Sequence, residues 1–232
     1  PDKLVHNEYC TLTGPQSALY KAVVDKEMRI ISQTTDKANR RAQVIQLILK
    51  LKQICNAPAQ YEPESNFNAA DFSGKMERLF DILEKTGEKP PFIHGGVPVK
   101  ERADMVEQFQ HDRSIGVMLL SLKAAGTGLN LTAASAVVHF DLWWNPAVED
   151  QATDRAYRIG QKSAVTVYRF ICADTFEERI DEMIQSKKSL VSLTVAEGEK
   201  WIGDLSNAEL SEVFALSSDK GKSASSSQEQ SL

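Results

Sequence analysis

Three side chains in the run AVEDQATDRAYRIGQ have types and spacing suited to phosphate chemistry: Gln151, Arg155 and Arg158. At 3.6 residues per turn they stand at i, i+4 and i+7, so one helix face would carry all three. Two guanidiniums and an amide on one face form a fork of N–H donors that matches phosphate oxygens. A solvated face with i, i+4 pairs has the same spacing, and spacing alone favours that plainer reading. Upstream, Ser121 to Asn130 leaves the end of an apolar run, Ile115 to Leu120, where ligands of open α/β sheets bind. Its Gly126-Thr127-Gly128 turn lets backbone amides approach phosphates closely. Between the two candidates stand Trp143 and Trp144, on a loop closed by Asn145-Pro146. Two adjacent tryptophans do not easily both enter a core, and a base stacked on one is worth about 1–3 kcal/mol.

These groups need a sheet to hold them. Apolar runs predict strands at 92–95, 115–120, 136–140 and 165–172, with helices between and after them. Ahead of the sheet, LVHNEYCTLT reads as extended and a helix begins near Pro15, a favoured first-turn residue. Val44, Leu47, Ile48, Leu51 and Ile54 make an apolar stripe for packing, with Lys50, Lys52 and Gln53 off it. Pro58 to Ala70 reads as a loop. Ser73 is an N-cap for a helix that turns Met76, Leu79, Phe80 and Leu83 inward and stops at Gly87. Lys100 to Gln110 is a helix with Ala103, Val106 and Phe109 inward. Thr175 with Glu178 forms a capping box that opens a helix using Phe176, Ile180, Met183, Ile184 and Val191. Ser206 with Glu209 forms another, stapled by Leu205 and Leu210. From Ser217 the composition is that of a disordered tail.

One connection is too short. Only Glu88, Lys89 and Pro90 separate Gly87 from the next apolar segment. A parallel strand-to-strand crossover takes roughly a dozen residues or more. Either a strand and helix are deleted, or a segment has dropped out of the numbering. The second is expected, because losing a strand exposes an apolar face and unpaired edges.

With 232 residues, 42% of them apolar, the chain is long enough for one or two domains with a real core. A net charge of −5 means that any nucleic acid is held by a local patch against the overall field. Cys10, Cys55 and Cys172 form neither a CxxC pair nor a disulfide framework, which suggests a reducing compartment. His6, His94, His111 and His139 lack ligand spacing, so no metal site is expected. No apolar run is long enough for a bilayer, and no signal peptide is apparent.

SLKAAGTGLNLT followed by HFDLWWNPAVEDQATDRAYRIGQ resembles motifs V and VI of the SWI/SNF-like DNA-dependent ATPases, a branch of superfamily-two helicases. The resemblance reaches from about Tyr9 to Leu216. It implies an α/β fold, a RecA-like parallel sheet flanked by helices. A helical protrusion and inter-lobe linker would occupy 1–70, the second RecA-like lobe 71–173, brace helices 174–216 and the tail 217–232. It assigns Arg155 and Arg158, with Gln151, to catalysis as arginine fingers, and Gly128 and Asn130 with the arginines to the nucleotide. It assigns Gly95, Gly96, Arg102, Lys123, Thr127 and Trp144 to DNA. For the first three, a plain strand-turn-helix is an equal reading. The chain departs from the family at Ala57, where Cys-Asn-His-Pro has histidine, at Ala125, where glycine is usual, and at Tyr157, often histidine. Asp150 and Asp154 suit ion pairs with the arginines.

The resemblance further implies ATP with Mg²⁺, both held mainly by a first lobe that carries the Walker motifs. It implies double-stranded DNA and that N-terminal RecA-like lobe as partners, no membrane, a monomer, and a cytoplasmic, nucleoid-associated place rather than a nuclear one. An isolated lobe would be inactive. A non-catalytic DNA-binding or regulatory module on the same fold is the alternative. A dinucleotide enzyme is disfavoured, because Gly126-Thr127-Gly128-Leu129-Asn130-Leu131 lacks the third glycine of GxGxxG.

Overall fold

The structure is a computed structural model that describes residues 2–62, 73–83, 90–122, 128–143, 146–188 and 200–217. All strand pairs among these are parallel. One sheet has the order β1 (Lys3–Cys10), β5 (Val165–Cys172), β4 (Ala136–His139); a second pairs β2 (Phe92–Ile93) with β3 (Leu119–Leu120). The extended opening segment is thus the edge strand of the larger sheet, bonded along its whole length to β5. Val165, Val167, Phe170 and Ile171 bury β5 at its centre.

The largest core lies between helices. Helix α1 (Gly14–Gln33) opens with a capping box of Thr13 and Gln16, and α2 (Lys37–Asn56) is capped by Asp36. The predicted stripe of α2, Val44 to Ile54, is wholly buried. It packs with Tyr20 and Ile31 of α1, Phe176 and Ile180 of α7 (Phe176–Lys188), Ile202 of α8 (Lys200–Gly203) and Phe214 of α9 (Asn207–Phe214). Helix ends are satisfied by side chains from elsewhere. Gln16 Nε2 donates to the Ile54 and Cys55 carbonyls at 2.7 and 3.2 Å, closing α2. Arg179 donates to the carbonyls of Val213 and Ala215, closing α9.

Several sequence expectations need correction. Residues 58–61, expected in a loop, form a helical turn, α3 (Pro58–Tyr61). In α4 (Gly74–Leu83) the buried side chain is Lys75, while Phe80 is 53% exposed. Helix α5 (Val99–His111) buries no residue, and Ala103 is exposed. Only Leu119–Leu120 of the run 115–120 is strand, and Phe92 and Leu119 remain 49% and 42% exposed. The stretch 84–89, with the expected helix stop at Gly87, lies outside the described residues. At the second capping box, Thr175 Oγ1 accepts from Glu177 N, while Glu178 reaches back to Asp174 N at 2.7 Å. Ser206 and Glu209 form their box as expected, with Leu210 buried. Val191, the 63–72 stretch and the tail beyond residue 217 lie outside the described residues.

Candidate functional site

The arginine segment is shaped by what lies beneath it. Helix α6 (Pro146–Thr153) stops before the arginines, so the expected single helical face is corrected: Gln151 is helical, and Arg155 and Arg158 stand on the turns that follow. The reason is on the inner side. Glu149 and Thr153, one turn apart, are buried, as is Ala156, which packs on Val165 and Val167. Thr153 Oγ1 lies 2.9 Å from His139 Nε2 of β4. These anchors leave Gln151 and Arg158 exposed and Arg155 half-buried. The Asp150 carboxylate, expected beside an arginine, lies 3.5 Å from Lys3 Nζ of β1.

Backbone bonds join this segment to the end of the glycine turn. Leu131 N donates to Arg155 O at 2.8 Å, and Gln161 Nε2 donates to Ala134 O at 2.8 Å and Ala156 O at 3.2 Å. Gly128 has φ +65°, a left-handed value that favours glycine, and is exposed with Asn130. Gln110 of α5 donates to the Asn130 carbonyl at 3.1 Å. The stretch from Asn130 to Ala134 and the segment from Arg155 to Gln161 are therefore stitched together. Lys123, Thr127 and Trp144 lie outside the described residues.

The Gly95-Gly96 turn is exposed, and its expected donors are partly engaged. Gly96 N donates to His94 Nδ1 at 3.2 Å. Arg102 Nε donates to Val97 O at 2.7 Å, and its terminal nitrogen to Gly95 O at 3.0 Å. Arg102 thus shapes the turn from behind, a task its spacing alone did not suggest.

Two buried polar networks went unread in the sequence. Lys75 Nζ meets Glu177 Oε1 at 2.9 Å, Phe140 O at 3.0 Å and Asn56 Oδ1 at 3.2 Å. Burial opposes its charge, but Glu177, together with Cys172 and Cys55, outweighs that and holds its pKa above the ordinary lysine value. Gly74 makes the approach possible, because a Cβ there would overlap the Thr11 carbonyl. Cys55, Cys172 and Glu177 place their ligand atoms within 4.8 Å of one another. The Lys75 ammonium already neutralises that carboxylate, and burial pushes the Cys55 thiol well up, so the cluster is satisfied without a metal. In the second network, Arg169 of β5 pairs with Glu149 at 3.0 Å and Asp181 at 2.7 Å. Burial raises the Glu149 carboxyl above its usual range against the pull of Arg169. Burial, and then the charge of Arg169, lower the neighbouring His139 to about 4.

Parallel strands flanked by helices, with an arginine-bearing segment following β4, define a RecA-like lobe. The chain belongs to the family described as the helicase conserved C-terminal domain, which matches residues 30–160. It is the SWI/SNF-like, superfamily-two form of that lobe, on the following likenesses. It is similar to YwqA of Bacillus subtilis (strain 168), named for ATP-dependent helicase/translocase activity, with 40% identity over 94% of this chain and 26% of the relative. It is similar to the Sulfolobus solfataricus SWI2/SNF2 ATPase core solved in complex with dsDNA, with 37% identity and a TM-score of 0.82 over 94% of this chain and 51% of that one. It is also similar to the solved C-terminal domain of the same Sulfolobus ATPase, with 34% identity and a TM-score of 0.78 over 94% of this chain and all of that one. The chain spans about a quarter of the length of the curated relatives it matches. The Bacillus alignment runs over 246 positions yet covers 94% of a 232-residue chain, so that relative carries residues inside the span that this chain lacks.

Proposed function

We propose that this lobe supplies arginine fingers to ATP hydrolysis in a motor that moves along double-stranded DNA. The observation that carries the reading is the stitched region. Arg155 is tied through its carbonyl to Leu131, just past Gly128 and Asn130, and Gln151 and Arg158 flank it in sequence with exposed side chains; we read this as the face where a nucleotide held by another lobe docks. Arg155 and Arg158 neutralise charge on the transferring γ-phosphoryl group. ATP and its Mg²⁺ are held mainly by the first lobe of the full protein. Gly95, Gly96, Arg102, Lys123, Thr127 and Trp144 line the DNA, with Arg102 also bonding the Val97 and Gly95 carbonyls. The likeness to a core solved with dsDNA supports that side of the reading. The chain by itself hydrolyses no ATP appreciably, and the full protein acts as a monomer in a cytoplasm that contains its DNA.

In the full-length protein, Arg155→Ala and Arg158→Ala each lower DNA-stimulated ATP hydrolysis by about 10³–10⁵, while DNA binding, read by fluorescence anisotropy, survives. Retained turnover in both variants overturns the finger assignment. Lys123→Ala lessens the salt dependence of DNA binding by about one phosphate contact, a slope change near 0.9; an unchanged slope removes Lys123 from the DNA side.

A further inference from the structure

Arg169 is a charged residue on the middle strand of the larger sheet, with its side chain 14% exposed. Its donors go to three other elements. Nε bonds Glu149 Oε2 of α6 at 3.0 Å, one terminal nitrogen bonds Asp181 Oδ1 of α7 at 2.7 Å, and the other bonds Asn7 Oδ1 of β1 at 3.0 Å. The second oxygen of Glu149 accepts from the Trp143 backbone N–H at 2.9 Å. Lys52 of α2 donates to Leu142 O at 2.7 Å and stands 5.1 Å from the Trp143 ring centroid. A well-packed apolar residue at this position would avoid the desolvation cost of burying charge. A guanidinium instead imposes direction, because its planar fork takes partners only at fixed angles.

We propose that Arg169 is a positioning residue: it connects α7 and β1 to Glu149, and through Glu149 it sets the Trp143 loop and the helix that leads to Arg155. Movement of α7, the helix that follows the sheet, is thereby transmitted to both the aromatic loop and the arginine segment. The functional weight of those two segments rests on the motor reading; the positional link does not.

The test separates the two. The chain contains three tryptophans, so 5-fluorotryptophan labelling gives three ¹⁹F resonances, with that of Trp143 assigned by its loss in Trp143→Phe. Arg169→Met is expected to shift or broaden the Trp143 resonance while Trp201, which packs on the helical core, keeps its own. It leaves Glu149 buried without its cation. Adding Glu149→Gln removes that charge and keeps an oxygen for the Trp143 N–H, so the double variant returns the resonance toward the parent. In the full-length protein, DNA-stimulated ATPase should fall at least tenfold in Arg169→Met and recover to within threefold of the parent in the double variant. If Arg169→Met does not fold, Asp181→Asn, which leaves the Arg169–Glu149 pair, should shift Trp143 in the same direction with a two- to fivefold rate loss. An unmoved Trp143 resonance in the folded variants, or a double variant no better than the single, overturns the proposal. A parent without DNA-stimulated hydrolysis sinks the motor reading, and the ¹⁹F result then decides the positional link.

Discussion

Lys75 gathers the end of α2, the start of α4, the chain just past β4 and the first turn of α7 around one ammonium. Both members of its pair with Glu177 are almost fully buried. Removing one partner strands a charge in the interior, which costs about 3–5 kcal/mol, whereas removing both costs less. Lys75→Met is therefore expected to lower the urea-unfolding free energy by about that amount, and Lys75→Met/Glu177→Gln by clearly less. An additive double variant contradicts a coupled pair. His139 makes a second residue-level prediction. Its folded pKa of about 4 lies below the unfolded value of about 6.5, so the unfolded chain takes the proton first. Stability contributed by the neutral ring is complete above about pH 6.5 and declines as pH falls toward 4, by at most about 3 kcal/mol. Denaturant titrations across that window should show His139→Gln to be less acid-sensitive than the parent. Lys75 and His139 were illegible in the sequence because a buried polar group looks the same as a surface one until its partners are known. Those partners lie far along the chain.

Among the elements, α2 was readable and α6 was not, for one physical reason. The stripe of α2 repeats over many turns, and its burial follows from the pattern alone. Helix α6 is a short helix whose ending is set by tertiary anchors: Glu149 on Arg169, Thr153 on His139 and Ala156 on Val165 and Val167. Periodicity suggested that the helix carries the arginines, and those anchors end it earlier. Lys52 shows the same limit. Spacing placed it only off the apolar stripe, yet it is buried beside the Trp143 loop, with Nζ 3.0 Å from Asp141 Oδ1 in an ion pair that lacks hydrogen-bond alignment. Arg102, read equally as a phosphate contact or as part of a plain strand-turn-helix, also bonds the Gly95 carbonyl, a contact that spacing did not suggest.

For the whole molecule, a connection between α4 and β2 too short for a strand and helix predicts a cost in stability. Phe80, Phe92 and Leu119 stay about half exposed, and β2–β3 stands as a separate two-stranded sheet. Covering such side chains contributes about 1.5–3 kcal/mol each. Inserting between Leu83 and Pro91 the corresponding residues of the Bacillus relative is expected to raise the unfolding free energy by several kcal/mol and to reduce binding of a hydrophobic dye. A less stable insertion variant with unchanged dye binding removes that explanation. By itself the sequence determined the class of lobe, its parallel strands, the α2 stripe and the place of the arginine run, because these depend on periodicity and on motifs contiguous in the chain. Only the tertiary structure decided where α6 ends, which lysines are buried and what Arg102 and Arg169 hold. Each of those depends on partners brought together by folding, and desolvation makes such pairings obligatory once they are inside.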